Sequence, residues 1–326
     1  MKLSPLKFEA WLRPMIWGGE KIAPFKGTRS DADNIGESWE ISAVEGHVSK
    51  VSEGSLKGRT LTDLIREYKG SLVGEKVYAR NGDLFPLLIK FIDAKSDLSV
   101  QVHPDDEMAM RVHGQKHGKT EMWYVVGGDK GASLLCGFKK QIDKDEYVKA
   151  VEEDRLMDVL ARYEIKPGDV FFLPAGRVHA IGAGAFVAEI QQTSDLTYRI
   201  YDYNRKGADG KPRELHTELA KEAVNFEVLP DYRTDYDYRK DAVVPLVDCQ
   251  YFTTDLLDLD KPLERDFSKT DSFVVVMGLE GEGTIGTDAG DVTIRRGETV
   301  LLPASINKAT FTPKGEGLKI LNSYIG

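Results

Sequence analysis

Apolar residues in this chain occur mainly in short runs that are bounded by glycine, proline or acidic residues. The clearest runs are residues 85–93, 121–126, 168–174 and 185–192. Runs of this length that are rich in Val, Ile, Phe and Trp are typical of buried β-strands. A shorter run with polar alternation, residues 36–42, also predicts a strand. The pattern therefore predicts a mainly β fold.

Helical spacing of apolar residues is limited to four short segments, namely 60–68, 104–112, 141–163 and 217–224. Thr60 or Thr62 is expected to cap the first helix, and Gly70 is expected to end it. The acids at 105–107 follow a proline, as first-turn acids do, so we expect them there and not as metal ligands. Residues 228–245 are expected to form a linker or a surface loop.

The β pattern of the first part of the chain returns near the end. Residues 272–278 parallel 121–127, and residues 297–304 parallel 168–175. Repeated patterns of this kind indicate repeated structural units. We therefore expect two β-barrels with short inserted helices. The first domain, residues 1–235, would include the N-terminal segment and the inserted helices, and the second domain would comprise residues 236–326.

Charge and cysteine content narrow the classes of function. The 326 residues carry a net charge of −9, which argues against a nucleic-acid partner and against binding to an anionic membrane. No uncharged apolar run reaches about 18 residues, and the N-terminus lacks an apolar signal core. Cys136 and Cys249 are far apart, so we expect reduced thiols and a cytoplasmic protein.

Residues with metal-binding chemistry cluster on the predicted strands. Ser99, Gln101 and His103 alternate along one strand and therefore share a face. Glu121 begins a second strand-like run, and His179 follows a third. A lone histidine in a strand is more often a hydrogen-bonded structural residue. Two imidazoles, a carboxylate and an amide together favour an open, catalytic type of divalent-metal site.

Several other residues allow two interpretations. Lys90 lies inside an apolar run, so it either reaches the end of its strand or points into a pocket. Trp17 and Trp39 either cap one end of a barrel or line a sugar pocket. His113 and His117 flank a glycine-containing loop, where we expect exposure to solvent.

The motifs that carry these residues resemble a known family. They are residues 17–19, 85–90, 98–105, 119–121, 174–182 and 189–202. The repeated strands and the His-bearing segment resemble the jelly-roll barrels of the cupin superfamily. The complete set is similar to type I mannose-6-phosphate isomerases in their compact bacterial form. The register of the internal repeat places Ser272 opposite Glu121 and Lys308 opposite His179, so we expect the degenerate second barrel to have lost the metal ligands.

The resemblance also implies a site. Its zinc ligands, for one Zn²⁺ per chain, would be Gln101, His103, Glu121 and His179. Its catalytic residues would be Arg199, Glu189, Lys119, Lys90 and Asp195. Ser99 matches the phosphate end, and Arg205 is a further candidate for a phosphate contact. Trp17 would contact the sugar.

The implied reaction is the reversible isomerisation of mannose 6-phosphate and fructose 6-phosphate through a metal-assisted cis-enediol proton transfer. The partner is then a small phosphorylated hexose. The sequence does not choose the catalytic base among Glu189, Lys119, Lys90, Asp195 and a zinc-bound water. An iron-dependent cupin oxygenase, a non-enzymatic sugar-binding cupin and an isomerase of another sugar phosphate are the alternatives. The oligomeric state is not readable from the sequence.

Overall fold

The structure, a computed structural model, describes residues 3–206 and 210–326. The predicted first domain includes residues 1–2 and 207–209, which lie outside the described residues. The prediction of a mainly β fold is confirmed, because strands include many more residues than helices. No helix in the described residues is long and apolar enough to cross a membrane.

The strands are named in chain order. They are β1 (Leu6–Lys7), β2 (Trp11–Gly19), β3 (Ile35–Ile41), β4 (Leu87–Asp93), β5 (Val100–Val102), β6 (Glu121–Gly128), β7 (Ser133–Phe138), β8 (Leu160–Glu164), β9 (Val170–Leu173), β10 (His179–Ile181), β11 (Ala185–Gln192), β12 (Tyr198–Tyr201), β13 (Val243–Asp248), β14 (Thr253–Leu259), β15 (Leu263–Asp266), β16 (Val274–Thr287), β17 (Val292–Arg295), β18 (Thr299–Leu302) and β19 (Lys308–Tyr324). The helices are α1 (Ile22–Phe25), α2 (Leu61–Tyr68), α3 (Gly70–Val73), α4 (Glu75–Asn81), α5 (Asp106–His113), α6 (Lys144–Glu152) and α7 (Thr217–Ala223).

Two antiparallel sheets form the first part of the molecule. One has the strand order β2-β3-β4-β11-β6-β9, and the other has the order β12-β5-β10-β7-β8. Glu121 on β6 and His179 on β10 approach within 3.4 Å, so the two sheets face each other across these residues. The predicted metal-binding strands therefore lie on opposite walls of one space.

A third sheet forms the second part of the molecule. Its main path is β1-β18-β16-β19-β14-β13, with β17 paired to β16 and β15 paired to β19. The predicted repeat appears here as β16 and β18. Ser272 is buried, and Lys308 is exposed beside Glu264. The division into two barrels, and the boundary at residue 235, stay predictions.

The first and second parts share hydrophobic packing. Strand β1 pairs with β18, which joins the N-terminal segment to the third sheet. The rings of Phe85 and Phe273 lie 4.3 Å apart, and both side chains are completely buried. One hydrophobic cluster includes residues of both parts, so their stabilities are linked.

The predicted helices form, with corrections at their ends. The Thr60 hydroxyl accepts the N–H of Asp63 and caps α2. The prediction that Gly70 ends this helix is wrong, because Lys69 adopts a φ of 48° there and Gly70 begins α3. The side chain of Asp105 caps α5, which confirms a first-turn role for these acids. The helix expected over 141–163 ends earlier, since Leu160 already begins β8.

Three further expectations concern loops and cysteines. Tyr232, within the expected surface loop 228–245, is buried, and its hydroxyl donates to the carbonyl of Phe138 at 3.2 Å. His117 is also buried, so the expected solvent exposure is wrong for this residue. Cys136 and Cys249 are free thiols, as predicted. A cytoplasmic location stays a prediction.

Candidate active site and metal centre

The four predicted ligands come together between the two facing sheets. Gln101 lies on β5 opposite His179, the first residue of β10. His103 follows β5, and Glu121 begins β6 on the other sheet. Glu121 Oε2 lies 3.5 Å from His103 Nε2, and Glu121 Oε1 lies 3.4 Å from His179 Nε2. The nitrogen of the Gln101 amide is 3.3 Å from His179 Nε2, so turning the amide brings its oxygen there.

The backbone orients both imidazoles. His103 Nδ1 is 2.8 Å from the carbonyl oxygen of Leu196, and His179 Nδ1 is 2.8 Å from that of Arg177. Since a carbonyl can only accept, both Nδ1 atoms carry the proton and both Nε2 atoms keep a free lone pair. Metal-binding histidines are usually held in this way.

Burial leaves the donor atoms without ordinary partners. His103 Nε2 and Glu121 Oε1 are buried and lack a hydrogen-bond partner among the described residues. Burial lowers the pKa of His179 to about 4 and places that of His103 well below its usual value, so both rings are neutral at pH 7. Neutral imidazole, carboxylate and amide donors suit a divalent cation, and the residues therefore fit the implied metal.

A cavity of about 290 Å³ opens beside Gln101. The predicted residues on its wall are Trp17, Lys90, Ser99, Gln101, Lys119, Glu189, Asp195 and Arg199. Of the two interpretations of Lys90, the pocket is the one that the structure supports. Trp17 likewise lines the cavity, and its ring is buried.

Two lysines are buried against glutamates on the cavity wall. Lys90 Nζ lies 3.0 Å from Glu189 Oε2, and Lys119 Nζ lies 3.1 Å from Glu121 Oε2. Trp123 Nε1 donates to the other oxygen of Glu189 at 2.9 Å. Burial alone would raise the pKa of Glu189, but the nearby lysines outweigh it and lower that pKa to about 2. Glu189 is therefore ionised at neutral pH.

The carboxylate of Glu121 behaves differently from that of Glu189. Burial raises the pKa of Glu121 to about 7, and the opposing effect of Lys119 is too small to cancel it. A cation at the donor atoms would favour the ionised form of Glu121. Both carboxylates thus have a lysine partner, but only Glu121 needs a further cation to stay ionised at neutral pH.

Arginines form one end of the cavity. Arg199 lines it, donates to the carbonyl of Glu214 at 3.0 Å and has a buried Nε without a partner in the described part of the chain. Arg213 also lines it and holds both oxygens of Asp202, at 2.6 and 2.5 Å. Arg205 lies behind this end, where it contacts Asp202 and the carbonyl of Asp97. Arg213, and not Arg205, is thus the arginine that reaches the cavity from this loop.

Comparisons with known proteins identify the family of this chain. A model of the catalytic domain of type I phosphomannose isomerase matches residues 6–131, and a model of the mannose-6-phosphate isomerase cupin domain matches residues 243–323. A mannose-6-phosphate isomerase of Bacillus subtilis strain 168 is 36% identical over 310 residues, which are 94% of this chain and 96% of that protein. The chain belongs to the type I phosphomannose isomerase family.

Other family members have similar lengths and folds. A mannose-6-phosphate isomerase of Streptococcus mutans is 32% identical over 309 residues, or 94% of this chain and 95% of that protein. The crystal structure of mannose 6-phosphate isomerase from Bacillus subtilis matches with a TM-score of 0.88 at 31% identity, covering 98% of this chain and 99% of that one. The predicted membership is confirmed, and so is the prediction that the chain is an isomerase of this family.

Sequence reasoning missed three charged residues of the phosphomannose isomerase cavity. Arg13, Glu37 and Arg213 all lie on its wall. Glu37 Oε2 accepts from Arg13 at 2.8 Å and from the indole N–H of Trp39 at 2.6 Å. The polar alternation of residues 36–42 was a signal for Glu37, because a polar side chain on a buried strand needs partners. Arg213 lies in a loop, where periodicity gives no such signal.

Proposed function

We propose that this chain interconverts mannose 6-phosphate and fructose 6-phosphate. The observation that carries the proposal is the buried His103–Glu121–His179 cluster next to a cavity rich in arginine and lysine. Gln101, which contacts His179, and Lys119, which contacts Glu121, line that cavity. A sugar phosphate carries hydroxyl and carbonyl oxygens at one end, which a cation can bind. At the other end it carries a phosphate dianion, which arginines can bind. Family members from Bacillus subtilis and Streptococcus mutans are named mannose-6-phosphate isomerases, which supports the same substrate here.

The proposed cofactor is one Zn²⁺ per chain, held by Gln101, His103, Glu121 and His179. When bound, zinc polarises the carbonyl and hydroxyl oxygens of the substrate without redox chemistry. Carbonyl contacts at Nδ1 fix both rings in the tautomer that this role requires. Their lowered pKa values remove competition from protons at neutral pH.

The proposed reaction opens the sugar ring and moves a proton between C1 and C2 through a cis-enediol. The Glu189–Lys90 ion pair raises the pKa of Lys90 despite the opposing effect of burial, so Lys90 stays protonated and is unsuited as a base. We assign the proton transfer to Glu189, which is ionised and oriented by the indole of Trp123. A carboxylate with so low a pKa is a weak base, so the transfer depends on Lys90 and Lys119 to stabilise the enediolate.

The phosphate is assigned to Arg199 and Arg213, with Ser99 beside them. The planar guanidinium groups match phosphate oxygens geometrically. Asp202 fixes the fork of Arg213 before the substrate arrives, which limits the entropy that binding would otherwise cost. Asp195 and Trp17 complete the wall against the sugar.

A coupled assay tests the proposal directly. Purified protein is assayed for conversion of mannose 6-phosphate to fructose 6-phosphate before chelation, after chelation and after restoration of zinc. We expect activity to disappear with the chelator, to return with zinc and to be absent in His103→Ala. A folded, metal-loaded protein that does not turn over mannose 6-phosphate would refute the assigned substrate. Full activity in His103→Ala would refute the assigned centre.

A further inference from the structure

A second cavity, of about 300 Å³, lies on the other side of β11 from the catalytic cavity. Gln191 on β11 accepts a hydrogen bond from Lys90, whereas the next residue, Gln192, lines this second cavity. Successive residues of a strand point to opposite faces, so the two cavities are separated by the sheet. Helix α4 and residues 269–271, which precede β16, form the other walls. The volume is at the lower end for small-molecule sites.

The mouth of this cavity is positively charged. Lys76, Arg80 and Lys269 lie there, all three are exposed, and none pairs with a carboxylate among the described residues. Asp271 is the only acidic side chain among the described residues that line it. Its carboxylate accepts the N–H groups of Glu75 and Lys76 at 2.7 and 2.8 Å, so it is already engaged at the start of α4. An excess of unpaired cations at a concave surface attracts anions.

Buried polar groups of the wall also lack partners. His117 is only 7% exposed, and its Nε2 atom has no hydrogen-bond partner in the described residues. The same holds for the side-chain oxygen of Asn81. Unsatisfied buried polar atoms are uncommon because each costs about 1–3 kcal/mol. Both residues line this cavity, so part of its wall is polar.

We propose that this cavity is a second, non-catalytic site that binds a small phosphomonoester. Lys76, Arg80 and Lys269 hold the phosphate at the mouth, and charge-assisted hydrogen bonds to its oxygens are the strongest that these groups can make. The ring of Tyr251 and the side chain of Val77 contact the uncharged body of the ligand. None of these residues lines the catalytic cavity, so the proposal is independent of the assigned reaction.

Calorimetric titration of the full, metal-loaded chain with phenyl phosphate tests the proposal. The test variant is Lys76→Gln/Lys269→Gln. The matched control is Lys144→Gln/Lys149→Gln, which removes two exposed lysines of α6 away from both cavities. The test variant should bind one molecule fewer per chain than the wild type, or bind it at least about tenfold more weakly. The control should equal the wild type.

The outcomes separate this proposal from the assigned reaction. Equal stoichiometry and equal affinity in the test variant and the wild type would overturn the second site. A wild type that binds a single molecule, lost in the test variant, would support the second site even if the chain has no isomerase activity. Thermal midpoints measured for both variants show whether each one folds. If the test variant does not fold, crystals of the wild type are soaked in tungstate, a heavy analogue of phosphate. An electron-density peak for tungstate in the second cavity would support the proposal, and a peak only in the catalytic cavity would refute it.

Discussion

Lys90 and Glu189 are directly opposite each other on β4 and β11, and their charged atoms lie 3.0 Å apart in the buried wall of the catalytic cavity. Lys90 also donates to the side-chain oxygen of Gln191 at 2.7 Å. Taking two charges out of water is costly, and their mutual attraction offsets that cost only while both are present. The pair therefore links the stability of the sheet to the proposed catalytic chemistry.

Replacement of Lys90 alone should strongly destabilise the protein. Lys90→Met leaves the Glu189 carboxylate buried without its partner, and breaking a buried pair costs about 3–5 kcal/mol in the free energy of unfolding. Urea unfolding of the metal-loaded protein measures the loss. The double variant Lys90→Met/Glu189→Leu should recover most of it, because no unpaired charge remains. A double variant that is as unstable as the single one would contradict this account.

The same pair predicts how the free energy of unfolding depends on pH. The pKa of Glu189 falls from 4.5 to about 2 on folding, so its contribution is fully present above the unfolded value and is lost as the pH falls toward 2. The wild type should therefore lose more unfolding free energy between pH 5 and pH 3 than Lys90→Met/Glu189→Leu does. Urea midpoints of metal-free protein at several pH values measure the difference. If the urea midpoints of the two proteins change with pH in parallel, folding does not lower the pKa of Glu189.

Arg213 should control the affinity for the phosphorylated substrate. It lines the catalytic cavity, where Asp202 holds its guanidinium. Loss of a charged hydrogen bond costs about 1.5–3 kcal/mol, so Arg213→Ala should raise KM for mannose 6-phosphate by about 10- to 100-fold. The turnover number should change much less, because the phosphate is bound equally in the ground and transition states.

Arg205→Ala is the matched control for Arg213. Arg205 contacts the same carboxylate of Asp202, but it lies behind the cavity. Its removal should raise KM by less than about threefold, since a partly exposed ion pair contributes little. Equal increases in the two variants would indicate that both act only through Asp202. That result would remove Arg213 from the phosphate site.

The contrast between these arginines shows where sequence reasoning succeeds. Strand periodicity predicted that Gln101 and His103 share a face, their positions at other strand-like runs indicated Glu121 and His179, and the structure brings these four together. Arg213 carries no such signal, because it lies in a loop between β12 and α7 whose path depends on tertiary contacts. A phosphate contact at Arg205 therefore stays a prediction, and Arg213 is a second candidate for that contact.

The ends of helices and the burial of loops were less predictable for a similar reason. Gly70 was expected to end a helix, but the chain turns at Lys69, whose φ is 48°, and Gly70 begins the next helix. Tyr232 looked like part of a polar loop, yet its ring packs on Gly137. Both outcomes depend on neighbours that are distant in sequence or on a turn that local propensity does not specify.

The contact between Phe85 and Phe273 predicts that the two parts of the molecule unfold together. Both rings are completely buried and belong to one hydrophobic cluster. Phe273→Ala leaves a cavity beside Phe85 and should cost about 3–5 kcal/mol in the free energy of unfolding. Urea unfolding should remain a single transition for both the variant and the wild type. The exposed Met110 provides the control, since Met110→Ala should change stability by less than about 0.5 kcal/mol.

A chain that ends at residue 235 tests the same interface more severely. Without the third sheet, Phe85 and the completely buried Leu72 lose their cover, and the carbonyl of Leu72 loses the N–H of Ala304 that it accepts at 2.9 Å. We therefore expect the truncated chain to aggregate on expression, because exposed apolar surface of this kind promotes association. Sedimentation of the soluble fraction measures how much of the truncated chain is aggregated. A soluble, active fragment would show that the metal-binding sheets are stable alone and that the third sheet is not a structural support.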